Sequence, residues 1–470
     1  MGSGAVRELP SVARSTDPPA PSISRGEAVT PPASSLLLGH VPELRADPLG
    51  ALLRWNRAYG DVVRVKARHW TYILNHPDDV KHVLVSHQSR YHKGEVLRLG
   101  RRVFGQGLLA SEEPLHLVQR HLMQPAFHRE TLRGYGETMV AKTLELVARW
   151  PKEGEVDVAS EMMRLTLGIA AKTLFGLDDV AETEALALAV DDAQQWIFLR
   201  QNSAVPLPDW VPTPVNFRYR RAVGVMDRLV YRIIQERRRH HEGATDLLTM
   251  LLEARDEHGH GMEDAQLRDE ALTLLLAGHE TTANGLSWTL YLLSKNPQAL
   301  ARTRSELQEV LGGRTPTVAD LPRLRYTEMV FSEAIRLYPP AWIVPRESIE
   351  EDPLPSGATI PRGAQVVVSP WSMQRDREYF PDPNRFDPER FAPEVKENRP
   401  AFAYYPFGGG TRRCIGEPFA KMEASLILAT LLPRVAFSLA EGQDVAPDPL
   451  VTLRPRGGIR LRLGPPPTAG

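Results

Sequence analysis

The segment Phe407-Gly-Gly-Gly-Thr-Arg-Arg-Cys414-Ile-Gly416 decides how the rest of this 470-residue chain is interpreted. Cys414 is the only cysteine, which excludes an intramolecular disulfide and a zinc site built from several thiolates. It is therefore a buried inert thiol, a nucleophile or a single axial metal ligand. The glycine run lets the backbone approach a flat group closely, Arg412 can clamp an anion, and Pro418 opens an apolar helix. A helix N-terminus and nearby arginines favour a thiolate, so the context favours the ligand.

Five positions of this segment follow a spacing found in one enzyme superfamily. They are Phe407, Gly410, Arg412, Cys414 and Gly416, which fill every fixed position of F-x-x-G-x-R-x-C-x-G. The segment resembles the haem-binding signature of the cytochrome P450 superfamily. The resemblance implies a mainly α chain with a smaller β portion, a single cytochrome P450 fold in which a long central helix lies over the haem. It also implies that Cys414 is the axial thiolate of a haem b iron, a ligand used by oxygenases that cleave the O–O bond.

The composition and the N-terminal region limit the other classes of protein. A formal net charge of −1 and a sequence pI of about 6.9 give no global field that favours nucleic acid. No run of about 18 apolar residues occurs, so we expect no transmembrane helix, and the N-terminus lacks the apolar core of a signal peptide. Residues 1–35, rich in Pro and Ser, are predicted to be a disordered tail before one haem domain at 36–470. We expect a bacterial-type enzyme that is cytoplasmic and monomeric.

The chain is predicted to be one continuous, helix-rich unit with short strands. The first predicted elements are a helix at Pro48–Tyr59, strands at Val62–Lys66 and Trp70–Leu74, and a helix that begins at Pro77. Residues 86–113 are predicted to be irregular, residues 115–310 mostly helical, and the proline-rich break at 202–216 a mobile loop. After Tyr338 the pattern indicates short strands and turns as far as the helix that follows Cys414.

A long helix is predicted from Glu263 to Lys295, and its centre breaks the usual preferences of a buried helix. The segment Ala277-Gly-His-Glu-Thr-Thr282 places glycine and polar residues where apolar helix formers are expected. It matches the superfamily pattern (A/G)-G-x-(D/E)-T-(T/S); the alternative is a core helix with a polar patch. The resemblance implies that Gly278 makes room for haem and O2. It also implies that Glu280 and Thr281 are the catalytic acid–alcohol pair that delivers protons during oxygen activation.

Glu333 and Arg336 lie three residues apart on one helix face, a spacing that alone is typical of a surface ion pair. They match the E-x-x-R motif of the superfamily, and Pro388-Glu-Arg-Phe391 matches the later loop that supplies a second arginine. The resemblance implies that Glu333, Arg336 and Arg390 form a buried structural network that holds the haem loop. Arginine suits such a network because its planar guanidinium binds carboxylates in a bidentate manner.

Haem carries two propionate carboxylates, which need cationic donors. His116 and Arg120, one helical turn apart, match the H-x-x-x-R motif of bacterial members, and Arg346 and Arg412 match the other clamp positions. The resemblance implies that these four side chains bind the propionates. The spacing of His116 and Arg120 alone would not distinguish a clamp from an ordinary helix surface.

The positions that the resemblance assigns to substrate contacts are apolar, which indicates an apolar organic substrate. They are Leu97, Phe104, Leu274, Ala277, Trp342, Ile343 and Val344. The run Tyr338-Pro-Pro-Ala-Trp-Ile343 is similar to bacterial carotenoid hydroxylases, which slightly favours a terpenoid or carotenoid over a fatty acid, steroid or polyketide. The expected reaction is hydroxylation or epoxidation with one oxygen atom from O2.

Electrons are expected to come from separate proteins, a ferredoxin and a ferredoxin reductase, because no reductase segment follows Cys414 and no nucleotide-binding motif occurs. Arg413, Lys421 and Arg129 are candidate contacts for an acidic ferredoxin.

Three alternatives are weaker. A peroxide-driven haem-thiolate peroxygenase usually lacks the acid–alcohol pair, and a haem sensor without turnover would not need it. A hydrolase with Cys414 as nucleophile would need a histidine base beside it, and no histidine lies within 100 residues of Cys414 in the sequence.

Overall fold

The computed structural model describes residues 27–201, 208–239, 246–255 and 258–464. Residues 1–26, most of the predicted tail, and residues 202–207 of the predicted mobile loop lie outside this part. The rest of the predicted tail joins the fold, because Val29 N donates to Val62 O at 3.0 Å and Arg64 N donates to Val29 O at 2.8 Å. The described fold therefore begins before the predicted boundary at residue 35.

Helices make up most of the described chain, and the strands are short. The α-helices are α1 Val41–Ala46, α2 Pro48–Tyr59, α3 Pro77–Lys81, α4 Glu95–Phe104, α5 Leu115–Met123, α6 Arg129–Arg149, α7 Val158–Phe175, α8 Val180–Gln201, α9 Pro214–Arg239, α10 Leu247–Glu253, α11 Asp264–Lys295, α12 Pro297–Leu311, α13 Arg325–Leu337, α14 Pro370–Met373, α15 Pro393–Lys396 and α16 Glu417–Leu431. The strands are β1 Val62–Lys66, β2 Trp70–Leu74, β3 Tyr91–Lys93, β4 Gly154–Asp157, β5 Val344–Ser348, β6 Asp352–Pro353, β7 Thr359–Ile360, β8 Gln365–Val368, β9 Ala436–Leu439, β10 Pro447–Pro449, β11 Leu453–Pro455 and β12 Arg460–Gly464. The predicted class, mainly α with a smaller β portion, is confirmed.

Single-turn segments complete the fold. The 3₁₀ segments are Gln88–Arg90, Gln124–Phe127, Val318–Arg323, Pro388–Phe391, Ala401–Ala403 and Gly410–Arg412, and the π-helical segment is His82–Ser86. None of the described helices is long and apolar enough to cross a membrane.

The largest sheet joins segments from both halves of the chain, in the order β1-β2-β8-β5-β3. β1 and β2 are antiparallel, whereas β2 and β8 are parallel, with Ile73 opposite Val367. β5 pairs antiparallel with β8, so that Val344 lies opposite Val368. Ile73, Val367 and Val344 line the central cavity of the molecule, so this sheet forms one of its walls.

α11 is the central element of the helical part. It packs against α7, α9, α13 and α16, and most of its residues from Leu267 to Leu293 are buried. A helix covered on so many sides needs apolar residues around most of its circumference. α11 ends at Lys295, as predicted, and Pro297 is the first residue of α12, which follows after Asn296.

Two predictions of local structure were wrong. Residues 86–113 are not irregular throughout, because α4 occupies Glu95–Phe104 and buries Gly100, Val103 and Phe104 on one side. Its internal glycine and adjacent arginines weaken the apolar signal in the sequence. The loop predicted at 202–216 ends earlier than expected, because α9 begins at Pro214. Trp196 belongs to α8. Its Nε1 donates to Asn216 Oδ1 at 2.9 Å, which joins α8 to α9.

Candidate active site

The glycine-rich segment forms a tight loop immediately before α16. Cys414 N donates to Phe407 O at 2.9 Å, which closes the loop. Gly410 has a φ of +67°, and a Cβ there would lie 2.2 Å from Leu84 O. This glycine therefore lets the π-helical segment His82–Ser86 pack against the loop. The glycine run was predicted to allow approach to a flat group, but at Gly410 the close neighbour is the protein itself.

The loop and α11 both face a cavity of about 1280 Å³. Phe407, Cys414 and Gly416 line it from the loop, and Gly278 and Thr281 line it from α11. A Cβ at Gly278 would meet no atom within 4 Å, so this position faces open space. The structure thus brings the cysteine segment and the centre of the long helix to one site.

Glu280 and Thr281, predicted to act as a pair, face different surroundings. Thr281 lines the cavity, whereas Glu280 is only 2% exposed and does not line it. The Glu280 carboxylate accepts from Arg454 Nε at 2.6 Å and from the side chains of Gln194 and Thr452. Consecutive helix positions are about 100° apart around the axis, and this angle separates the two side chains.

Arg454 is a site residue that the sequence did not indicate. Besides Glu280, its guanidinium contacts Asp191 of α8 at 3.2 Å, so it connects β11 with α8 and α11. Glu280 and Arg454 are 174 positions apart, and no local spacing identifies such a partner. The ion pair neutralises the Glu280 charge inside the molecule.

The surroundings of the Cys414 thiol differ from the prediction. Burial is the largest effect and raises the pKa of the thiol. The Gly416 N–H and the charges of Arg120 and Arg413 lower that pKa, as a helix start should, but they do not outweigh burial. The residue as a whole is exposed, and it forms part of the cavity wall. A thiolate is therefore favoured here when a metal cation contacts the sulfur.

All four predicted propionate residues line the cavity: His116, Arg120, Arg346 and Arg412. Three of them carry a buried nitrogen without a hydrogen-bond partner, namely His116 Nδ1, Arg346 Nε and Arg412 Nε. Burial, and then the charge of Lys93, lowers the pKa of His116 to about 4, so this imidazole is neutral near pH 7. Unpaired buried donors on a cavity wall suit an anionic ligand.

Lys93 is a further basic residue at this wall, and no motif predicted it. It lines the cavity and is 4% exposed, and burial followed by the charge of Arg412 lowers its pKa to about 7. Arg412 is already paired with Glu112 at 2.9 Å and with Glu113 at 2.6 Å. With Lys93 protonated, it and the three clamp arginines outnumber these two carboxylates by two charges, which matches the charge of two propionates.

Glu333, Arg336 and Arg390 meet in the interior. The side chains of Glu333 and Arg336 are fully buried, with Arg336 Nε 2.6 Å from Glu333 Oε2 and Nη2 2.8 Å from Oε1. Arg390 Nε lies 3.5 Å from Glu333 Oε1, and Asp387 N donates to the same oxygen at 2.9 Å. Because these side chains are buried, the network is not a surface ion pair. Its contacts connect α13 with the Pro388–Phe391 segment.

Six of the seven predicted substrate residues line the cavity. They are Leu97, Leu274, Ala277, Trp342, Ile343 and Val344. The prediction for Phe104 was wrong, because this residue is 8% exposed and packs in the core beside α8 and α9 instead. Phe104 is the last residue of α4, and its ring lies against Gly100 of the same helix. Thr273 lines the cavity as well, but its residue type had given no reason to select it.

Comparison with known proteins places this architecture in a family. The family model described as Cytochrome P450 matches residues 29–461. The chain is 36% identical to cyclooctat-9-en-7-ol 5-monooxygenase of Streptomyces melanosporofaciens over 429 residues, 90% of this chain and 91% of that protein. It is 34% identical to pentalenene oxygenase of Streptomyces avermitilis over 440 residues, 93% and 97% of the two chains. The crystal structure of the cytochrome P450DA heme domain aligns with a TM-score of 0.86 and 27% identity, covering 93% of this chain and 97% of that one.

The chain belongs to the cytochrome P450 family. It is therefore an oxidoreductase of the monooxygenase type, and the family implies a haem-thiolate iron cofactor. In the described ranges no group of three or more His, Cys, Asp and Glu side chains could hold a metal ion by itself.

Proposed function

We propose that this protein is a haem-thiolate monooxygenase that inserts one oxygen atom of O2 into a terpenoid, by hydroxylation or epoxidation. The observation that carries the proposal is a predominantly apolar cavity onto which both Cys414 and Thr281 open. A terpenoid is supported over a fatty acid, steroid or polyketide by two relatives, whose names give pentalenene and cyclooctat-9-en-7-ol as substrates. One of these compounds is a hydrocarbon and the other an alcohol.

The side chains at the cavity fit haem b. Cys414 would supply the thiolate ligand, and Gly278 would leave the open space that a large planar group needs. The propionates would be bound by His116, Arg120, Arg346 and Arg412, three of which carry a buried nitrogen without a hydrogen-bond partner. Haem iron with a thiolate ligand supplies the chemistry that cleaves the O–O bond.

Thr281 and Glu280 have separate tasks in this proposal. Thr281 holds a hydroxyl proton at the cavity, and its Oγ1 donates to Ala277 O at 2.7 Å while no ligand competes for it. Glu280 is the acid that supplies Thr281 with protons. Arg454 pairs with Glu280 at 2.6 Å, away from the cavity, so the Glu280 side chain must leave this ion pair to reach Thr281.

A ferredoxin, reduced by its reductase, is the proposed electron donor. Arg413 and Lys421 line a concave surface next to the Cys414 loop and are 57% and 36% exposed. Both pair with Glu417, at 2.7 and 3.3 Å, so this surface is less positive than the sequence suggested. The side chain of Arg129 lies outside the described residues. The cytoplasmic location and the monomeric state stay predictions from the sequence.

The proposal is tested by titrating the purified holoprotein with terpenoids, fatty acids, steroids and polyketide precursors while the spin state of the haem is followed. Ligands that cause the low-spin to high-spin shift are then turned over with NADH, a surrogate ferredoxin and its reductase. We expect terpenoids to give both the shift and an oxygenated product. Product from another class alone would contradict the terpenoid assignment, and product with hydrogen peroxide but none with ferredoxin would favour a peroxygenase.

A further inference from the structure

Three consecutive leucines lie on the surface at the tip of a tight turn before α1. Leu36 is fully exposed, and Leu37 and Leu38 are 95% and 58% exposed. Single apolar side chains are common on protein surfaces, but a contiguous exposed group often marks an interaction site. Leu37 and Leu38 also line the central cavity, so the tip lies at an opening of that cavity.

The turn at residues 34–39, called the leucine turn below, is held together at its base. Ser35 N donates to Gly39 O at 3.0 Å, and Gly39 N donates to Ser35 O at 2.9 Å. The Ser34 hydroxyl donates to Gly39 O at 3.1 Å, and Leu38 N donates to Ser35 Oγ at 3.1 Å. These hydrogen bonds give the turn a defined shape without covering its three leucines.

The leucine turn is also fixed to the end of β1. His40 N donates to Lys66 O at 2.8 Å, and Lys66 N donates to His40 Nδ1 at 3.0 Å. Gly39 has a φ of +60°, and a Cβ there would lie 2.4 Å from Lys66 O, so the close approach requires glycine. The tip is therefore kept beside the hairpin of β1 and β2, whose residues Val65 and Thr71 line the cavity as well.

Basic side chains surround this opening. Arg45, Lys66 and Arg68 are exposed and line the cavity at the same end as the leucine turn. Glu95, 3.2 Å from Arg68, offsets one of these three charges. Among the described residues that line the cavity, Asp448 is the only acidic one. Positive charge is therefore in excess next to the exposed leucines.

The surface of a lipid bilayer fits this combination better than a protein partner does. Leucine side chains enter the boundary between headgroups and acyl chains, and basic side chains beside them attract anionic headgroups. A stable protein interface uses about 20–30 residues on each side, whereas the leucine turn offers a narrow tip of three. Trp70, paired with Lys66 across the hairpin and 42% exposed, adds a residue type that is enriched at the level of the headgroups.

We propose that the leucine turn inserts into the surface of a bilayer that contains anionic lipids and places the adjoining opening of the cavity at that surface. The protein binds the membrane peripherally through this tip and its basic surroundings. An apolar substrate dissolved in the lipid then enters the cavity without crossing water. Docking does not depend on the reaction, whereas the uptake of a substrate from lipid rests on the proposed function.

The first test measures co-sedimentation of the holoprotein with vesicles of phosphatidylcholine alone, or of phosphatidylcholine and phosphatidylglycerol in equal parts. We expect wild type to bind the mixed vesicles about tenfold more tightly than the neutral ones, and to lose this preference in about 1 M NaCl. Leu36→Ser combined with Leu37→Ser should weaken binding to the mixed vesicles about tenfold or more, because two side chains that enter the lipid are lost.

Two control variants separate the leucines from general surface effects. Leu188→Ser removes a leucine that is 73% exposed on α8 and does not line the cavity, so its binding should equal that of wild type. Lys66→Gln combined with Arg68→Gln should lose most of the preference for phosphatidylglycerol but retain binding to neutral vesicles.

Three results would overturn the inference. Wild type does not bind vesicles of either composition, or it binds them no better than the double leucine variant does. The third is a wild-type dimer without vesicles that the double leucine variant converts to a monomer in sedimentation velocity, since a second copy of the chain would then cover the tip.

Substrate uptake supplies a measurement that distinguishes docking from the reaction. A terpenoid that causes the high-spin shift is dissolved in the mixed vesicles, and the shift is followed by stopped flow. Wild type should respond about tenfold faster than the double leucine variant, whereas both should respond equally to the same ligand added without vesicles. Equal rates from vesicles would refute uptake from the lipid. If no terpenoid causes the shift, the proposed function fails, and vesicle binding alone decides whether the leucine turn docks.

Discussion

Glu280 and Thr281 are adjacent on α11, but their side chains lie in different surroundings. Thr281 is at the cavity, where a substrate and oxygen would be processed, and Glu280 is in an ion pair with Arg454. We therefore expect mutations of Glu280 and of Thr281 to have different effects on the reaction.

We expect Thr281→Ala to bind substrate and accept electrons as wild type does, but to lower the product formed per NADH about tenfold or more, with hydrogen peroxide formed instead. The reason is that the hydroxyl is needed only to place a proton inside the cavity. Glu280→Gln should instead lower kcat and keep most of the coupling. NADH, product and peroxide are measured with a surrogate ferredoxin system, and Thr289→Ala serves as control. Wild-type coupling in Thr281→Ala would refute the assignment.

Glu423 gives a prediction of pH dependence. It lies on α16 with 1% exposure, and burial, opposed by the Thr282 hydroxyl, raises its pKa to about 8. The folded state therefore binds this proton more tightly than the unfolded chain, whose carboxyl has the ordinary value of 4.5. The stability contributed by this group is complete below pH 4.5 and is lost as the pH rises toward 8.

Glu423→Gln should accordingly flatten the pH profile of the free energy of unfolding, measured by urea denaturation of the holoprotein. One carboxyl accounts for a slope of at most about 1.4 kcal/mol per pH unit in this window. Glu397→Gln, an exposed carboxyl, is the control and should keep the wild-type slope. If the pH profile of Glu423→Gln runs parallel to that of wild type, the Glu423 carboxyl is paired in solution.

Single residues were predictable where a motif fixes their spacing and not where their partners are distant in sequence. His116, Arg346, Arg412 and Cys414 were selected from short patterns, and the fold brings them to one cavity. Lys93, Arg454 and Thr273 carry no such pattern. Their surroundings are created by contacts between α4, α8, α11 and β11, which only the folded chain defines.

At the scale of elements, the buried pair of α13 should control stability. Glu333→Ala leaves Arg336 unpaired at a fully buried position, so we expect a loss of about 3–5 kcal/mol and little soluble holoprotein. Glu328→Ala on the same helix is the matched control, since Glu328 is 54% exposed and its partner Lys421 is 3.7 Å away. It should cost no more than about 1 kcal/mol. Equal melting temperatures and haem content in the two variants would contradict the structural role.

Element boundaries were predictable where the chain carries local stop and start signals. α2 begins at Pro48 after Asp47, whose side chain accepts from Gly50 N, and it ends before Gly60, whose φ is +78°. α4 had no comparable signal because glycine and charged residues interrupt its apolar face. Tertiary packing against α8 and α11, rather than local preference, stabilises that helix.

At the scale of the whole molecule, the surface around Arg413 and Lys421 should determine the interaction with ferredoxin. Charge reversal, Arg413→Glu with Lys421→Glu, should raise the KM for ferredoxin about tenfold at low ionic strength and weaken its salt dependence. The pairs with Glu417 make this dependence smaller than for two free cations. Arg462→Glu, 52% exposed on β12, is the control. If turnover rates with ferredoxin change neither with salt nor with charge reversal, the docking surface lies elsewhere.

The convergence of distant segments on one site was predictable, because the recognised motifs must act on the same cofactor. Segments near residues 116, 280, 346 and 414 converge on one cavity, although no single stretch of sequence describes that cavity. The width of the binding space depends on how the loop after α4 packs against α11. The sequence could therefore indicate the reaction class but not the shape of that space.

The central claim, a haem-thiolate centre with Cys414 as the iron ligand, is tested most directly by the CO-difference spectrum of the dithionite-reduced protein. Wild type should show the thiolate-type spectrum, and Cys414→Ala should lose it, while Cys414→Ser retains some haem without that spectrum. Cys414 is the only cysteine, so no other thiolate in the chain can replace it. Identical spectra for wild type and Cys414→Ala would contradict the account.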